Sequence, residues 1–101
     1  APELSNEAHY YRAKAYLDAG KTDGAMEDLK VLAKDTRNVY GAEAKYKVAQ
    51  IYFDGGQTDK AEQEVLNYIE VSTPHSYWLA RSFVLLSDIY VKIGRELVAR
   101  Q

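Results

Sequence analysis

One segment of the chain occurs twice, thirty-six residues apart. Residues 15–25 read AYLDAGKTDGA and residues 51–61 read IYFDGGQTDKA, so that Tyr, Asp, Gly, Thr, Asp and Ala recur in register. A third, partial copy follows at an offset of 38 and contains Tyr90 and Gly94. Periods of about 20–50 residues are typical of repeat arrays, in which each unit packs on its neighbours. The repeat therefore predicts a single domain over residues 1–101, built from stacked copies of one unit.

Each copy combines apolar stripes of helical period with a glycine between them. The stripes are Leu4, Ala8, Tyr11, Ala15 and Ala25, Leu29, Leu32 in the first copy, Ala44, Val48, Ile51, Tyr52 and Ala61, Val65, Tyr68, Ile69 in the second, and Leu79, Phe83, Leu86, Tyr90, Ile93 in the third. Gly20 and Gly55-Gly56 predict helix ends, and Thr22 and Thr58 predict N-caps. We expect helices over approximately residues 5–19, 24–36, 41–54, 59–71 and 76–93, with Gly94 as a stop and a short sixth helix from Arg95.

At its most regular positions the repeat resembles the tetratricopeptide family, whose pattern is Trp-x2-Leu-Gly-x2-Tyr, then Ala-x3-Phe, then Pro. The three copies offer His9-x2-Arg12-Ala13-x2-Tyr16 with Ala25-x3-Leu29, Lys45-x2-Val48-Ala49-x2-Tyr52 with Ala61-x3-Val65, and Phe83-x2-Leu86-Ser87-x2-Tyr90 with Ala99. The resemblance implies an all-α fold, an α-solenoid of about 2.5 antiparallel helical hairpins in a right-handed superhelix. Repeat 1 spans about residues 5–40, repeat 2 about 41–77, and a truncated repeat 3 about 78–101. His9 and Arg12 depart from the apolar family pattern, so the packing of the first copy stays open.

The third copy stops just after Ala99, where the first two copies continue into a second helix. The preceding helix is apolar on more than one face, which predicts neighbours on more than one side. We therefore expect the chain to be part of a longer array, and to form a homodimer through its C-terminal helix when isolated.

Composition argues against catalysis and against nucleic-acid binding. The formal net charge is −2, with a pI of about 5.7, whereas nucleic-acid binders usually carry a basic face. The only histidines, His9 and His75, have no second histidine at helical spacing and predict surface residues rather than a metal site. The acidic pairs Glu27-Asp28 and Glu62/Glu64 predict solvated polar faces. We expect no catalytic residue, metal or cofactor, and no direct membrane insertion.

The tyrosines divide into two groups. Tyr16, Tyr52 and Tyr90 stand at the packing position of the family pattern, and Tyr11 and Tyr68 lie on apolar stripes, so all five predict core residues. Tyr10 and Tyr46 share a position one residue off the stripe, which in the resembling family lines the concave groove together with the residue four places later. The candidate protein-binding residues are therefore Tyr10, Lys14, Tyr46, Gln50 and Asp88, with Val84 as the apolar partner of Asp88. Inter-repeat packing is the alternative role for the two tyrosines.

The resemblance implies a non-catalytic scaffold that binds a protein or peptide segment on its concave face. The family's carboxylate clamp needs a Lys-x3-Asn pair, and Tyr10-x3-Lys14 and Tyr46-x3-Gln50 stand in its place. An amphipathic helix or extended segment is therefore the expected ligand. A spacer or self-association module within a longer solenoid is the alternative, and RNA reading by pentatricopeptide-type repeats is disfavoured by the acidic charge. The similarity of the Thr73–Ala80 junction to bacterial cell-envelope arrays favours the envelope or periplasm over the cytoplasm.

Overall fold

In a computed structural model of the chain, residues 4–71 and 73–101 are described. They form five α-helices: α1 (Asn6–Asp18), α2 (Thr22–Leu32), α3 (Val39–Asp54), α4 (Thr58–Glu70) and α5 (Ser76–Ala99). Helices adjacent in sequence pack on one another, and α3 also contacts α1 and α5. The predicted all-α fold is confirmed: the hairpin α1–α2 is followed by the hairpin α3–α4 and then by α5.

The glycine turn between the two helices of a hairpin has the same geometry in both copies. Gly20 has a φ of 74° and Gly56 a φ of 81°, a region that residues with a Cβ atom rarely enter. The turns close with a hydrogen bond from the Lys21 amide to the Tyr16 carbonyl, at 2.7 Å, and from the Gln57 amide to the Tyr52 carbonyl, at 2.8 Å. This pattern satisfies carbonyl groups that the helix end leaves without partners. The predicted helix ends at these glycines are confirmed.

The predicted helix beginnings need correction. Thr22 and Thr58 are the first residues of α2 and α4, and their N-cap positions, Lys21 and Gln57, make no side-chain cap. Side-chain caps instead occur at α1, where the Ser5 hydroxyl accepts a hydrogen bond from the Ala8 amide at 3.1 Å, and at α3, where the Asn38 oxygen accepts one from the Tyr40 amide at 2.8 Å. α2 also ends four residues earlier than the predicted residue 36, because the chain turns there to reach α3.

The expected stop at Gly94 and the sixth helix from Arg95 are wrong. α5 continues through Gly94 to Ala99 as one helix of 24 residues. Gly94 does not adopt the positive φ found at Gly20 and Gly56, so its amide and carbonyl stay within the helical hydrogen-bond pattern. The residues that follow, from Arg95 to Ala99, are mostly good helix formers. The third copy therefore does not close a hairpin.

Two clusters of buried side chains each join a hairpin to the next helix. The first cluster contains Ala13, Ala25, Leu29, Leu32, Ala44 and Val48, and the second contains Ala42, Tyr46, Ala49, Ala61, Val65, Tyr68, Leu85 and Ile89. α3 contributes to both, so it is the element that holds the array together. The predicted stripes of α2, α3 and α4 are confirmed as facing these clusters.

The predicted core stripes of α1 and α5 are in part wrong. Tyr11 is 62% exposed and Tyr90 is 47% exposed. α1 buries Ala13 instead, and α5 buries Ser82, Leu85 and Ile89. Both helices carry apolar residues on more than one face, and the face that finds a neighbour is the one that turns toward α3.

A polar network joins the two helices of the first hairpin. Asp28 is 1% exposed, and its carboxylate accepts hydrogen bonds from Arg12 Nε at 2.9 Å and from Arg12 Nη2 at 2.7 Å. His9 Nδ1 lies 2.8 Å from Asp28 Oδ1. The expectations that Asp28 is solvated and that His9 is a surface residue are therefore wrong. His9 and Arg12, which depart from the family pattern, replace apolar contacts with hydrogen bonds to Asp28.

The second hairpin has an ion pair at the same repeat positions. Lys45 and Glu64 stand thirty-six residues after His9 and Asp28, and Lys45 Nζ lies 3.0 Å from Glu64 Oε2. Both hairpins are thus joined by an interaction between a basic residue on the first helix and an acid on the second. The third copy has Phe83 at this position.

The junction between α2 and α3 is tightly packed. A Cβ atom on Gly41 would overlap the carbonyl oxygens of Asp35 and Leu32, the latter at 2.6 Å. The next junction is bonded to this one, because Thr73 Oγ1 donates a hydrogen bond to the Thr36 carbonyl at 2.8 Å. His75 Nε2 donates similarly to the Arg37 carbonyl at 2.9 Å, in an exposed hydrogen bond that also joins the two junctions.

Asp28→Asn should destabilise the protein at neutral pH. The hydrogen bonds from Arg12 hold the pKa of Asp28 below its usual value, which is about 3.9 for an unfolded chain. A carboxyl group of this kind contributes stability above the unfolded-state pKa, and the contribution is lost as the pH falls from there through the folded-state pKa. We expect a loss of about 1–3 kcal/mol at pH 7, shrinking below about pH 4, measured by urea unfolding. The exposed neighbour variant Glu27→Gln should change stability by less than about 0.5 kcal/mol; equal effects at pH 7 would contradict the network's role.

Gly41→Ala should lower the free energy of unfolding by about 1–3 kcal/mol, because the added methyl group overpacks the junction against backbone atoms. Gly94→Ala is the matched control. Nothing lies within 4 Å of a Cβ atom at Gly94, and the residue is inside a helix, so alanine should raise stability by about 0.5–1 kcal/mol. Thermal and urea unfolding followed by circular dichroism measure both. A destabilising Gly94→Ala would show that α5 does not run through this residue.

Candidate protein-binding groove

A groove of about 470 Å³ lies between α3 and α5. Its lining combines three of the five predicted binding residues with four others: Tyr46, Gln50 and Asp88, and Tyr77, Arg81, Val84 and Leu85. α3 and α5 are first helices of successive repeats, so their facing sides meet without an intervening second helix. Val84, the predicted partner of Asp88, is 65% exposed there.

Tyr46 forms the floor of the groove. Its side chain is almost fully buried, at 9% exposed. Its ring packs against Trp78 with the centroids 5.7 Å apart, and its hydroxyl donates a hydrogen bond to Gln50 Oε1 at 3.0 Å. Tyr46 therefore joins α3 to α5 and shapes the groove, so replacing it would disturb packing together with any binding.

Gln50 is held in place from both ends of its amide. Its oxygen accepts the bond from Tyr46, and its Nε2 donates to Asp54 Oδ1 at 2.7 Å. This chain of hydrogen bonds runs along α3 at intervals of four residues, which places all three side chains on one face. The groove wall on this side is therefore polar and fixed in orientation.

Sequence reasoning missed three groove residues, Tyr77, Arg81 and Leu85, and Arg81 makes the most polar contacts of the three. Its guanidinium lies over the rings of Tyr46, Tyr77 and Trp78, at 5.1, 5.8 and 5.8 Å from their centroids. Nη1 donates to the Tyr77 hydroxyl at 3.0 Å and Nη2 to the Tyr46 hydroxyl at 3.3 Å. The four-residue spacing of Tyr77 and Arg81 was a signal for their contact, because such residues meet on a helix surface. The contact with Tyr46 depends on how α5 packs on α3, which the sequence does not contain.

Tyr10 and Lys14 lie outside this groove, in a separate contact between α1 and α3. The Tyr10 hydroxyl donates to Glu43 Oε1 at 3.1 Å, and its ring lies 4.7 Å from that of Tyr40. Burial and the Glu43 carboxylate raise the pKa of Tyr10. Lys14 Nζ sits over the Tyr10 ring, 5.2 Å from its centroid. The contacts of Tyr10 with Glu43 and Tyr40 join α1 to α3, whereas the Lys14 contact stays within α1. A binding role for this pair stays a prediction.

The side chains around the groove suit recognition of another polypeptide. Aromatic rings and an exposed valine offer apolar contact, while a guanidinium, a carboxylate and an amide offer directed polar contacts. Residues 4–71 and 73–101 bring together no group of three or more imidazole and carboxylate side chains that could hold a metal ion. Of the helices formed by these residues, none has the length and apolar character needed to cross a bilayer.

Comparison with known proteins identifies the repeat. Residues 7–35 match the family model of the tetratricopeptide repeat. This segment contains most of α1, all of α2 and the Gly20 turn, and the hairpin α3–α4 repeats its turn geometry. Neither the curated proteins nor the solved structures gave a significant match. Repeats of this family generally mediate protein–protein interaction and typically form non-catalytic scaffolds. Residues 7–35 therefore form a repeat of the tetratricopeptide type.

Proposed function

We propose that the chain is a non-catalytic interaction module, and that it binds a protein or peptide segment in the groove between α3 and α5. This proposal rests on two residues that line the same groove. Val84 is apolar and exposed, and the Arg81 guanidinium is positioned by the aromatic rings on which it lies. Interface hot spots are enriched in tyrosine, tryptophan and arginine, and the groove is lined by an exposed tyrosine, Tyr77, and by Arg81. Their geometry is fixed before any ligand arrives, which lowers the entropic cost of binding.

The chemistry of the groove also favours binding over catalysis. Its one carboxylate, Asp88, is exposed, and the side chains that line the groove include no histidine, lysine, serine or cysteine. An enzyme site needs a nucleophile or a general base placed beside an orienting group. The tyrosine hydroxyls of the groove instead hold Gln50 and Arg81 in position.

Val84→Asp should abolish or strongly weaken ligand binding while leaving the fold intact. Val84 is mostly exposed, so an aspartate there removes apolar contact and adds charge to the groove without opening a cavity. The measurement starts with peptides selected from a displayed library against the wild-type chain, whose affinities are then determined by fluorescence anisotropy. We expect a loss of about tenfold or more, the scale of an interface residue worth above 1 kcal/mol.

Leu66→Asp is the control for this test. Leu66 is 40% exposed on α4 and does not line the groove. It should therefore bind the selected peptides within about twofold of wild type, with both variants showing similar helical circular dichroism. Equal losses in the two variants, or no loss in Val84→Asp, would place the binding surface elsewhere.

Self-association through α5 is a second candidate function, favoured by the exposed apolar side of that helix. Phe83, Tyr90 and Leu97 recur every seven residues, which places them along one side of α5. They are 49%, 47% and 55% exposed. The exposed residues Ser87 and Gly94 lie beside them, and small residues allow a second helix to come close. The α5 helix of a second copy, related by a two-fold axis, offers an identical apolar strip.

Sedimentation equilibrium from micromolar to millimolar concentrations tests self-association. The wild type should form a dimer, and Phe83→Glu/Leu97→Glu should shift it to monomer, because each glutamate places a charge in the apolar contact. Val84→Asp is the control: it carries a charge on the groove side of α5 and should remain dimeric. A wild-type chain that is monomeric throughout this range would remove self-association as a function.

A further inference from the structure

The groove carries two opposite charges that have no ion-pair partner among the described residues. Arg81 and Asp88 both line it, and the ion pairs formed by residues 4–71 and 73–101 involve neither of them. Lys92 stands one helical turn after Asp88, but its Nζ lies over the Phe53 ring, 5.4 Å from the centroid. The groove therefore presents a positive group toward one end and a negative group toward the other.

Arg81 is arranged to meet an anion. A guanidinium has five N–H donors, and the two tyrosine hydroxyls account for two of its hydrogen bonds. The aromatic rings restrict its movement, so donors that are still available keep a fixed direction. A carboxylate is the group in proteins that accepts such donors in pairs.

The spacing of the two charges points to a helical ligand. Arg81 and Asp88 are seven residues apart on α5, so their Cα positions are about 10.5 Å apart along the axis, nearly two full turns. Residues seven apart on a partner helix lie on one face at the same separation. In an extended strand, residues on one face lie about 6.7 or 13.4 Å apart, and neither value matches. Val84 lies between the two charges on α5 and provides apolar contact for the turn of the partner helix that lies between its own two charged residues.

We propose that the groove selects a helical segment carrying an acidic and a basic residue seven positions apart on one face, with an apolar residue between them. The acidic side chain pairs with Arg81, the apolar one packs on Val84, and the basic one pairs with Asp88. This rests on the proposed function, because it names the chemistry of the segment that the same groove would hold. A partner helix whose acidic residue comes first pairs both charges when it runs parallel to α5, and one whose basic residue comes first does so when it runs antiparallel. The separation and the opposite sign of the charges are therefore the selected features.

The test uses synthetic helical peptides as probes. One alanine- and glutamine-based peptide has glutamate, leucine and lysine at positions i, i+4 and i+7. A second has the same composition with the charges five positions apart, which places them on different faces. Fluorescence anisotropy should show the first binding about two- to fivefold more tightly per charge contact at low salt, with the difference shrinking as salt is raised.

Charge reversal at Asp88 gives a result that a change in folding would not produce. Asp88→Lys should weaken binding of the first peptide and restore it for a peptide with glutamate in place of the i+7 lysine. At the other end, Arg81→Gln should lower affinity for the first peptide but make little difference once the peptide's i glutamate is changed to glutamine. Asp88 is exposed, so Asp88→Lys should keep the wild-type circular dichroism.

The possible outcomes separate the two proposals. Reversed peptide preference in Asp88→Lys supports the charge spacing. Equal binding of all the peptides, still lost in Val84→Asp, would overturn the charge spacing and leave groove binding in place. The charge spacing would also be overturned if Val84→Asp left binding of the first peptide unchanged, or if none of the synthetic peptides bound. If Val84→Asp also left binding of the library-selected peptides unchanged, groove binding itself would be overturned.

Discussion

The array depends on backbone-to-backbone contact at the junction between its repeats. α2 ends at Leu32 and α3 begins at Val39, and the turn between them folds back until its carbonyl groups touch Gly41. Any side chain at this position would push α3 away from the first hairpin. Because α3 contributes to both buried clusters, its position relative to α2 also sets where α5 packs, and with it the shape of the groove. The absence of a side chain at Gly41 thus influences packing along the rest of the chain.

Polar contacts replace part of the apolar packing expected inside each hairpin. His9 and Arg12 hold Asp28 in the first hairpin, and Lys45 holds Glu64 in the second. A buried carboxylate without such partners would be strongly destabilising, so the residues at these positions depend on one another. Each hairpin therefore requires a matched pair of helices, because a second helix without its acid would leave the base of the first without a partner. Phe83 breaks the series on α5 and makes that helix suited to an apolar neighbour instead.

Local signals in the sequence predicted much of the fold. The recurrence of Tyr16 and Tyr52, each followed by a glycine turn, located both hairpins, because these residues act within their own copy. Helix ends were less predictable. α2 is shortened by the turn toward Gly41, which depends on contact between copies, whereas α5 passes through Gly94 because the residues after it favour a helix. The groove was predicted in part. Tyr46, Gln50 and Asp88 share it because their repeat positions face the same side. The aromatic rings around Arg81 come from two helices, and no local sequence pattern encodes the angle at which those helices pack.

The hydrogen bonds between junctions have a mechanical meaning. Thr73 and His75 bond to the carbonyl groups of Thr36 and Arg37, so consecutive junctions are tied together at one edge of the array. The opposite edge carries the Gly20 and Gly56 turns, which meet no such cross-links among the described hydrogen bonds. Repeats that are bonded to one another on one side can separate more easily on the other side. We therefore expect the spacing between repeats to be fixed on the side of the junctions, and any change in curvature to open the array on the side of the glycine turns.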